Sequence, residues 1–166
     1  RDGSSERFSL EKVRTSIMHV VKGYEKEVNV DQIVNQVKLE VYEGMPTREI
    51  RKALVMTIRS MIEQDPAYSY VASRMVLHSI NEDLMGDALE YTRLDDQYKE
   101  MFIRGIEKGV SRGLLDIRMK NFDLPRLASA LVRSRDDLFM YLGSQTLYER
   151  YLVRDMEGDG AIIEHL

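Results

Sequence analysis

Four cationic side chains stand where two predicted helices begin, a position that the helix dipole disfavours. Lys12 lies in the first turn of one predicted helix, while Arg48, Arg51 and Lys52 follow Thr47 in the first turns of another. Each cation at a helix N-terminus costs a few tenths to about 1 kcal/mol. An anion held by free backbone N–H groups, the threonine hydroxyl and these cations would offset that cost, and a phosphate would fit.

Acidic neighbours offer a second interpretation of the same cations. Glu11, Glu43 and Glu49 lie close enough in sequence to form ion pairs with them on a solvated surface. Exposed ion pairs of this kind contribute about 0–1 kcal/mol each. Spacing alone favours these ion pairs over a phosphate site.

Other residues that could perform chemistry lack the spacing that they would need. The histidines His19, His78 and His165 are scattered without metal-ligand spacing, so no metal site is predicted. Adjacent carboxylates begin at Asp95 and at Asp136, but neighbouring residues on a helix point in different directions. The residues alone therefore predict no metal site and no catalytic carboxylate pair.

Composition limits the class of protein. The chain has 166 residues, 43% of them hydrophobic, and a formal net charge of −4. This length suits one domain or two small ones, and the acidity argues against a nucleic-acid partner. Neither a membrane span nor a signal peptide is recognisable, which predicts a soluble, cytoplasmic protein with no membrane partner. With no cysteine, the chain has no disulfide, thiolate zinc site or cysteine nucleophile.

Apolar residues at three- and four-residue spacing predict four helices in the first half of the chain. They cover residues 10–24, residues 30–43, a segment that begins at Pro46-Thr47 and a segment from Asp65-Pro66 to about Gly86. Ser9 and Thr47 are predicted as the N-caps of the first and third helices, and Gly44 as the left-handed residue that ends the second. A short strand is predicted over residues 5–8.

Three further helices are predicted after a short polar linker at about residues 86–93. Their ranges are residues 95–109, 124–133 and 137–152. We therefore predict a mainly α chain in two parts, residues 1–86 and residues 87–166.

Four short segments occur in an order that resembles the ATP-cone, the nucleotide-sensing module at the N-terminus of many ribonucleotide reductase large chains. These segments are Arg1-Asp2-Gly3, Glu6 to Val13, Tyr42 to Thr47 and Tyr68 to Arg74. For residues 1–86 the resemblance implies a four-helix bundle with a small N-terminal β-hairpin cap.

The same resemblance implies a nucleotide site. It takes ATP as an activating effector and dATP as an inhibiting one, with Mg²⁺. Carried over to this sequence, the residues that hold the nucleotide are Arg1, Glu6, Ser9, Lys12, Val13, Thr47 and Arg51. They overlap the cations at the helix starts, so the resemblance moves the balance from ion pairs to a phosphate site.

Residues 87–166 resemble the helical segment that leads from the cone into the reductase's catalytic barrel. Arg135-Asp136, Phe139, Tyr141 and the run from Leu147 to Val153 carry this likeness. Reductases of this family work through a cysteine thiyl radical, so a chain without cysteine is implied to be a regulatory, non-catalytic piece of the enzyme. The implied partners are a nucleotide effector and other reductase subunits, either copies of the same chain or a radical-generating small subunit.

Two other functions are compatible with parts of the sequence. A cone with a degenerate site would act only as a helical module for subunit contacts, and the acidic Glu82-Asp83, where the family often has a basic residue, favours it. The zinc-ribbon repressor of reductase genes also contains a cone. That repressor needs four zinc-binding cysteines and binds DNA. This chain has no cysteine and a negative net charge, and both facts disfavour the repressor function.

Overall fold

Helices dominate the part of the chain that the structure describes. The computed structural model describes residues 8–86, residues 93–155 and Ile162. Among these residues an antiparallel bridge pairs Arg154 with Ile162, and the remaining regular structure is helical, which confirms the predicted mainly α fold. The predicted N-terminal strand and hairpin cap lie outside the described residues, apart from Phe8, which is in neither helix nor strand.

Seven α-helices are described, joined by shorter helical turns. They are α1 (Leu10–Val21), α2 (Val30–Glu40), α3 (Thr47–Ser60), α4 (Ala67–Met85), α5 (Leu94–Ser111), α6 (Leu124–Ser129) and α7 (Tyr141–Thr146). Two 3-10 helices cover Ile117–Asn121 and Arg133–Leu138, and a π-helix covers Leu147–Tyr151. Within the described ranges, no helix is long and apolar enough to cross a membrane.

The predicted bounds of several helices are wrong, and the first helix ends at Val21 rather than at residue 24. The second helix ends at Glu40, because the β-branched Val41 turns to an extended conformation, and Gly44 adopts its positive φ within the following loop. The helix predicted over residues 124–133 ends at Ser129. The helix predicted over residues 137–152 begins only at Tyr141 and changes to π geometry after Thr146.

The chain divides into two compact units. The first comprises the described residues up to Val76 together with Phe139–Ser144, and the second comprises the described residues of 77–138 and 145–166. Helix α4 thus contributes its beginning to the first unit and its end to the second. The domain boundary proposed at residue 86 stays a prediction.

In the first unit, α2 packs against both α1 and α3. The apolar faces predicted from sequence periodicity supply most of the core, and Ile33 of α2 is fully buried in it. The buried side chains include Val13, Ile17, Val20, Val21, Ile33, Val34, Val37, Leu54, Ile58, Tyr68, Val71, Ala72 and Met75.

An arginine of α4 secures the end of α1. Arg74 donates hydrogen bonds to the backbone carbonyls of Val20 (3.1 Å) and Lys22 (2.7 Å), and its guanidinium lies 5.0 Å from the centre of the Tyr24 ring. The Tyr24 ring in turn stacks on Tyr70. The last carbonyls of a helix have no partner within it, so Arg74 satisfies groups that would otherwise need water.

In the second unit, a small core forms around Met85, Tyr98 and Met101, with Leu84, Leu94 and Leu131 packed against it. The Tyr98 hydroxyl donates a hydrogen bond of 2.8 Å to the Asp136 carboxylate. Burial raises the pKa of Asp136 above its ordinary value, although the Tyr98 hydrogen bond and the charge of Arg133 oppose the shift. The folded state therefore favours the protonated form of this carboxyl group more than the unfolded chain does.

We predict that Arg74→Met lowers the free energy of unfolding by roughly 1–3 kcal/mol, because it leaves two helix-end carbonyls without their donor. Arg14→Met is the control, since it removes an exposed arginine that forms an ion pair with Asp31 on α2. The loss expected there is much smaller than that of Arg74→Met, because exposed ion pairs contribute little to stability. Urea unfolding followed by circular dichroism measures both, and equal losses would contradict the role assigned to Arg74.

We predict a pH-dependent effect of Asp136→Asn. Because the folded-state pKa of Asp136 lies above its unfolded value, its stabilising contribution is complete at low pH and is lost as the pH rises through the folded-state pKa. The neutral amide avoids that loss. The variant should therefore be the more stable protein at pH 7, and its advantage should shrink as the pH falls toward the ordinary carboxyl pKa of 3.8. A variant that is less stable than the wild type at pH 7 would contradict this.

Candidate functional site

The first turn of α1 is closed by a side-chain cap. The Ser9 hydroxyl oxygen accepts a hydrogen bond of 3.4 Å from the backbone N–H of Lys12, as an N-cap should, which confirms that prediction. Lys12 itself is exposed, and the side chain of Val13 is buried in the core. A serine hydroxyl that accepts one hydrogen bond still has its own proton to donate, so Ser9 could also bind an anion.

The start of α3 differs from its prediction. The N-cap is Pro46, whose carbonyl accepts the first intrahelical hydrogen bonds, from the N–H groups of Glu49 (2.9 Å) and Ile50 (3.1 Å). Thr47 is the first helical residue and provides no side-chain cap, so the assignment of Thr47 as N-cap is wrong. Pro46 takes the position because its fixed φ and extended ψ suit the residue that precedes a helix.

An exposed hydroxyl therefore stands at a helix start that lacks a side-chain cap. The Thr47 side chain is exposed, and within the described part of the chain its hydroxyl makes no hydrogen bond. Arg51 follows one turn later on the same face of α3 and is half-buried. An uncapped helix N-terminus with a hydroxyl and a guanidinium beside it can bind an anion with several oxygens, such as a phosphate.

Glu49, one of the acidic neighbours of these cations, is engaged by a tyrosine. The Tyr42 hydroxyl donates a hydrogen bond of 2.7 Å to the Glu49 carboxylate, and this bond raises the pKa of Tyr42. Glu49 lies in the first turn of α3, where its charge is favourable to the helix. The hydrogen bond provides the carboxylate with a partner other than Arg48, Arg51 or Lys52.

The structure groups the predicted site residues in two sets. Ser9, Lys12 and Val13 share one turn of α1, while Thr47 and Arg51 share one face of α3. Both helices belong to the first unit and both pack against α2. Arg1 and Glu6 lie outside the described residues, so the assembly of all seven residues around one ligand stays a prediction. Among the described side chains, no three His, Asp or Glu residues are grouped as metal ligands.

Sequence reasoning missed the parts played by Pro46 and Tyr42. A proline immediately before a threonine could have indicated the uncapped start, because the proline competes with the threonine for the position that precedes the helix. The Tyr42 contact had no comparable signal, since it depends on how the α2–α3 loop turns back toward Glu49.

Comparison with known proteins gives a consistent set of similarities. The ATP cone domain family matches residues 1–83. The chain is 28% identical over 165 residues, or 99% of its length, to "Ribonucleoside-diphosphate reductase subunit alpha" of Chlamydia muridarum. The protein of the same name from Helicobacter pylori is 33% identical over 156 residues. "Ribonucleoside-diphosphate reductase 1 subunit alpha" of Escherichia coli is 26% identical over 156 residues. Each of the last two matches covers 93% of the chain.

The chain is much shorter than these relatives. It spans 15% of the Chlamydia muridarum protein, 19% of the Helicobacter pylori protein and 20% of the Escherichia coli protein. The similarity therefore concerns a limited region of each relative.

We predict unequal stability effects of hydroxyl removal at the two helix starts. Ser9→Ala removes the cap of α1 and should lower the free energy of unfolding by about 1 kcal/mol. Thr47→Ala removes a hydroxyl that caps nothing, so the change should be within about 0.5 kcal/mol. Urea unfolding of the two variants beside the wild type makes the comparison. A Thr47→Ala loss as large as that of Ser9→Ala would restore Thr47 as a structural cap.

Proposed function

The chain belongs to the ATP cone domain family, and from this we propose that residues 1–86 form a sensor that binds ATP or dATP as an allosteric effector. The observation that carries the proposal is the uncapped start of α3 with the exposed Thr47 hydroxyl. It supports a triphosphate site because a helix N-terminus offers backbone N–H donors and partial positive charge.

Each proposed site residue has a part that its position allows. Thr47 would donate its hydroxyl to a phosphate oxygen, and Lys12 and Arg51 would neutralise the phosphate charge. Ser9 would donate its remaining proton. Val13 has a buried side chain, so it would act by shaping the first turn of α1. The parts of Arg1 and Glu6 rest on the family resemblance.

Mg²⁺ would enter this site with the nucleotide. Magnesium in nucleotide sites is held largely by phosphate oxygens and water, with one or two carboxylates at most. The described residues at the start of α3 fit this arrangement, because they contribute cations and donors for the phosphate oxygens rather than a set of metal ligands. When bound, the ion would reduce the charge repulsion between the phosphates.

We further propose that the chain is the regulatory N-terminal region of a ribonucleotide reductase large subunit. Similarity to reductase alpha subunits over 93–99% of the chain supports this. The sequence has no cysteine, so the thiyl-radical chemistry of such an enzyme would belong to other parts of it. The cytoplasm is the proposed location, because the substrates and the reducing supply of this reaction are found there.

The sensor would act by shifting the population of subunit assemblies. A nucleotide that favours one assembly by about 1–3 kcal/mol changes the equilibrium about 5- to 150-fold. The proposed partners are copies of the same chain or a radical-generating small subunit. Nucleotide binding would alter which of these contacts is preferred.

A second candidate function is a helical module for subunit contacts without nucleotide binding. Exposed apolar side chains on the first unit favour it, because a contact surface needs such groups. Met18 is 60% exposed, Leu39 80% and Tyr42 58%.

The two functions are separated by calorimetric titration of dATP and of ATP, each with Mg²⁺, into the chain while light scattering follows its mass. Binding supports the sensor, whereas self-association of the chain without any nucleotide binding supports the module.

We predict that Lys12→Ala combined with Thr47→Ala weakens nucleotide binding at least about tenfold, which corresponds to about 1.4 kcal/mol. The reason is the loss of one charge-assisted partner and one hydroxyl donor of the phosphates. The helical circular dichroism should not change, because neither side chain is buried. Lys38→Ala, an exposed lysine in the last turn of α2, is the matched control and should bind as the wild type does. Equal affinity in the double variant would remove both residues from the site.

A further inference from the structure

A short segment from late in the chain is built into the first unit. Residues Phe139–Ser144 belong to the unit formed by residues up to Val76, although the residues on either side of this segment belong to the second unit. We name Phe139–Ser144 the strap. It contains the beginning of α7 and is joined through the backbone to the second unit at both of its ends.

The strap is anchored by a hydrogen bond to α4. The backbone N–H of Tyr141 donates to the Ser69 hydroxyl oxygen over 3.3 Å, and both residues are buried. Tyr141 is the first residue of α7, so its N–H has no acceptor within its own helix. Ser69 therefore performs for α7 the task of an N-cap, from a position 72 residues away in sequence. Ser144, fully buried, completes the turn by donating to the Tyr141 carbonyl over 3.1 Å.

A second anchor comes from the end of α3. The Arg59 guanidinium lies over the Tyr141 ring, 5.6 Å from its centre, and the Met56 sulfur lies 3.8 Å from Nη1 of Arg59. Arg59 is in the last turn of the helix that carries Thr47 and Arg51 at its start. At 1.5 Å per residue, the Arg51 and Arg59 backbones lie about 12 Å apart along a single helix.

We propose that the strap is a nucleotide-responsive contact, which docks more tightly when a nucleotide occupies the start of α3. This inference rests on the function proposed above. A phosphate bound to the first turn of α3 reduces the motion of that helix, so less conformational entropy is lost when Arg59 is fixed over Tyr141. The coupling between the two sites is reciprocal, so a change that loosens the strap lowers the nucleotide affinity by the same factor.

Through such a contact, nucleotide binding would affect the backbone on both sides of the strap. Leu138 and Gln145, which flank the strap, both belong to the second unit. A docked strap fixes the chain at these two points, and a released strap frees both. The strap is thus a covalent connection between nucleotide occupancy and the residues that follow it.

The Tyr141 amide proton is a direct reporter of docking. It is protected by Ser69, whereas the amides of Gly143 and Ser144 bond to the Met140 carbonyl within the strap. Amide hydrogen exchange of the full chain, read residue by residue by NMR, should show Tyr141 exchange slowing at least about threefold when dATP or ATP with Mg²⁺ is saturating. The Gly143 and Ser144 amides serve as internal controls and should slow less.

Variants at the anchors complete the test. Arg59→Gln removes the cation from an exposed position and should weaken nucleotide binding about two- to fivefold in calorimetry, by reciprocity. Ser69→Ala should speed Tyr141 exchange with and without nucleotide. Arg135→Gln, an exposed arginine of the second unit, is the control and should change neither quantity.

The possible results separate the two proposals. Nucleotide binding to the wild type with unaltered Tyr141 exchange, together with unchanged affinity in Arg59→Gln, would overturn the strap inference and leave the sensor in place. Absence of nucleotide binding to the wild type would overturn the sensor, and the strap inference with it. If Ser69→Ala fails to fold, Arg59→Gln and the wild-type exchange data decide the question.

Discussion

Short helices impose one requirement on this fold, which is that the polar groups at their ends must find partners. Each α-helix leaves four N–H groups and four carbonyls without intrahelical bonds. The side chains of Ser9, Asn29 and Asp123 cap the helices that follow them. The chain also uses distant donors and acceptors, since Arg74 binds carbonyls at the end of α1 and Ser69 receives the first N–H of α7. Tertiary packing and helix termination are therefore parts of one arrangement.

Helix α3, like α5, begins without a side-chain cap. Its N-cap is a proline, which supplies a carbonyl for the first turn but no side-chain acceptor for the N–H groups. Water can satisfy N–H groups at an exposed helix start, and an anionic ligand is another way of satisfying them. The family match and the cations of the first turns support the nucleoside triphosphate that we propose as this ligand. The start of α3, where Pro46 rather than the predicted Thr47 is the N-cap, is thus also the feature on which the proposed function rests.

The sequence predicts the long helices well and the short ones poorly. Periodic apolar residues place α1, α3 and α4 within a few residues, because a buried stripe repeats over several turns. Helices α6 and α7 are too short for such a repeat, and the start of α7 depends on Ser69, far away in the chain. At the candidate site, residue types and dipole effects predict Lys12, Thr47 and Arg51 as anion-binding residues, which stays a prediction. Local pattern could not decide between Pro46 and Thr47, because both are common at helix starts.

The strap also bears on the order in which the molecule folds. Hairpins of neighbouring helices close short loops, whereas the contact between Tyr141 and Ser69 closes a loop across 72 positions and has the larger entropic cost of closure. We therefore expect this contact to form after the local helical pairs are in place. The match to the ATP cone domain family ends at residue 83. A protein cut there would lack the strap and expose the surface that Tyr141 covers, so the end of the ATP cone match does not coincide with the bounds of the first compact unit.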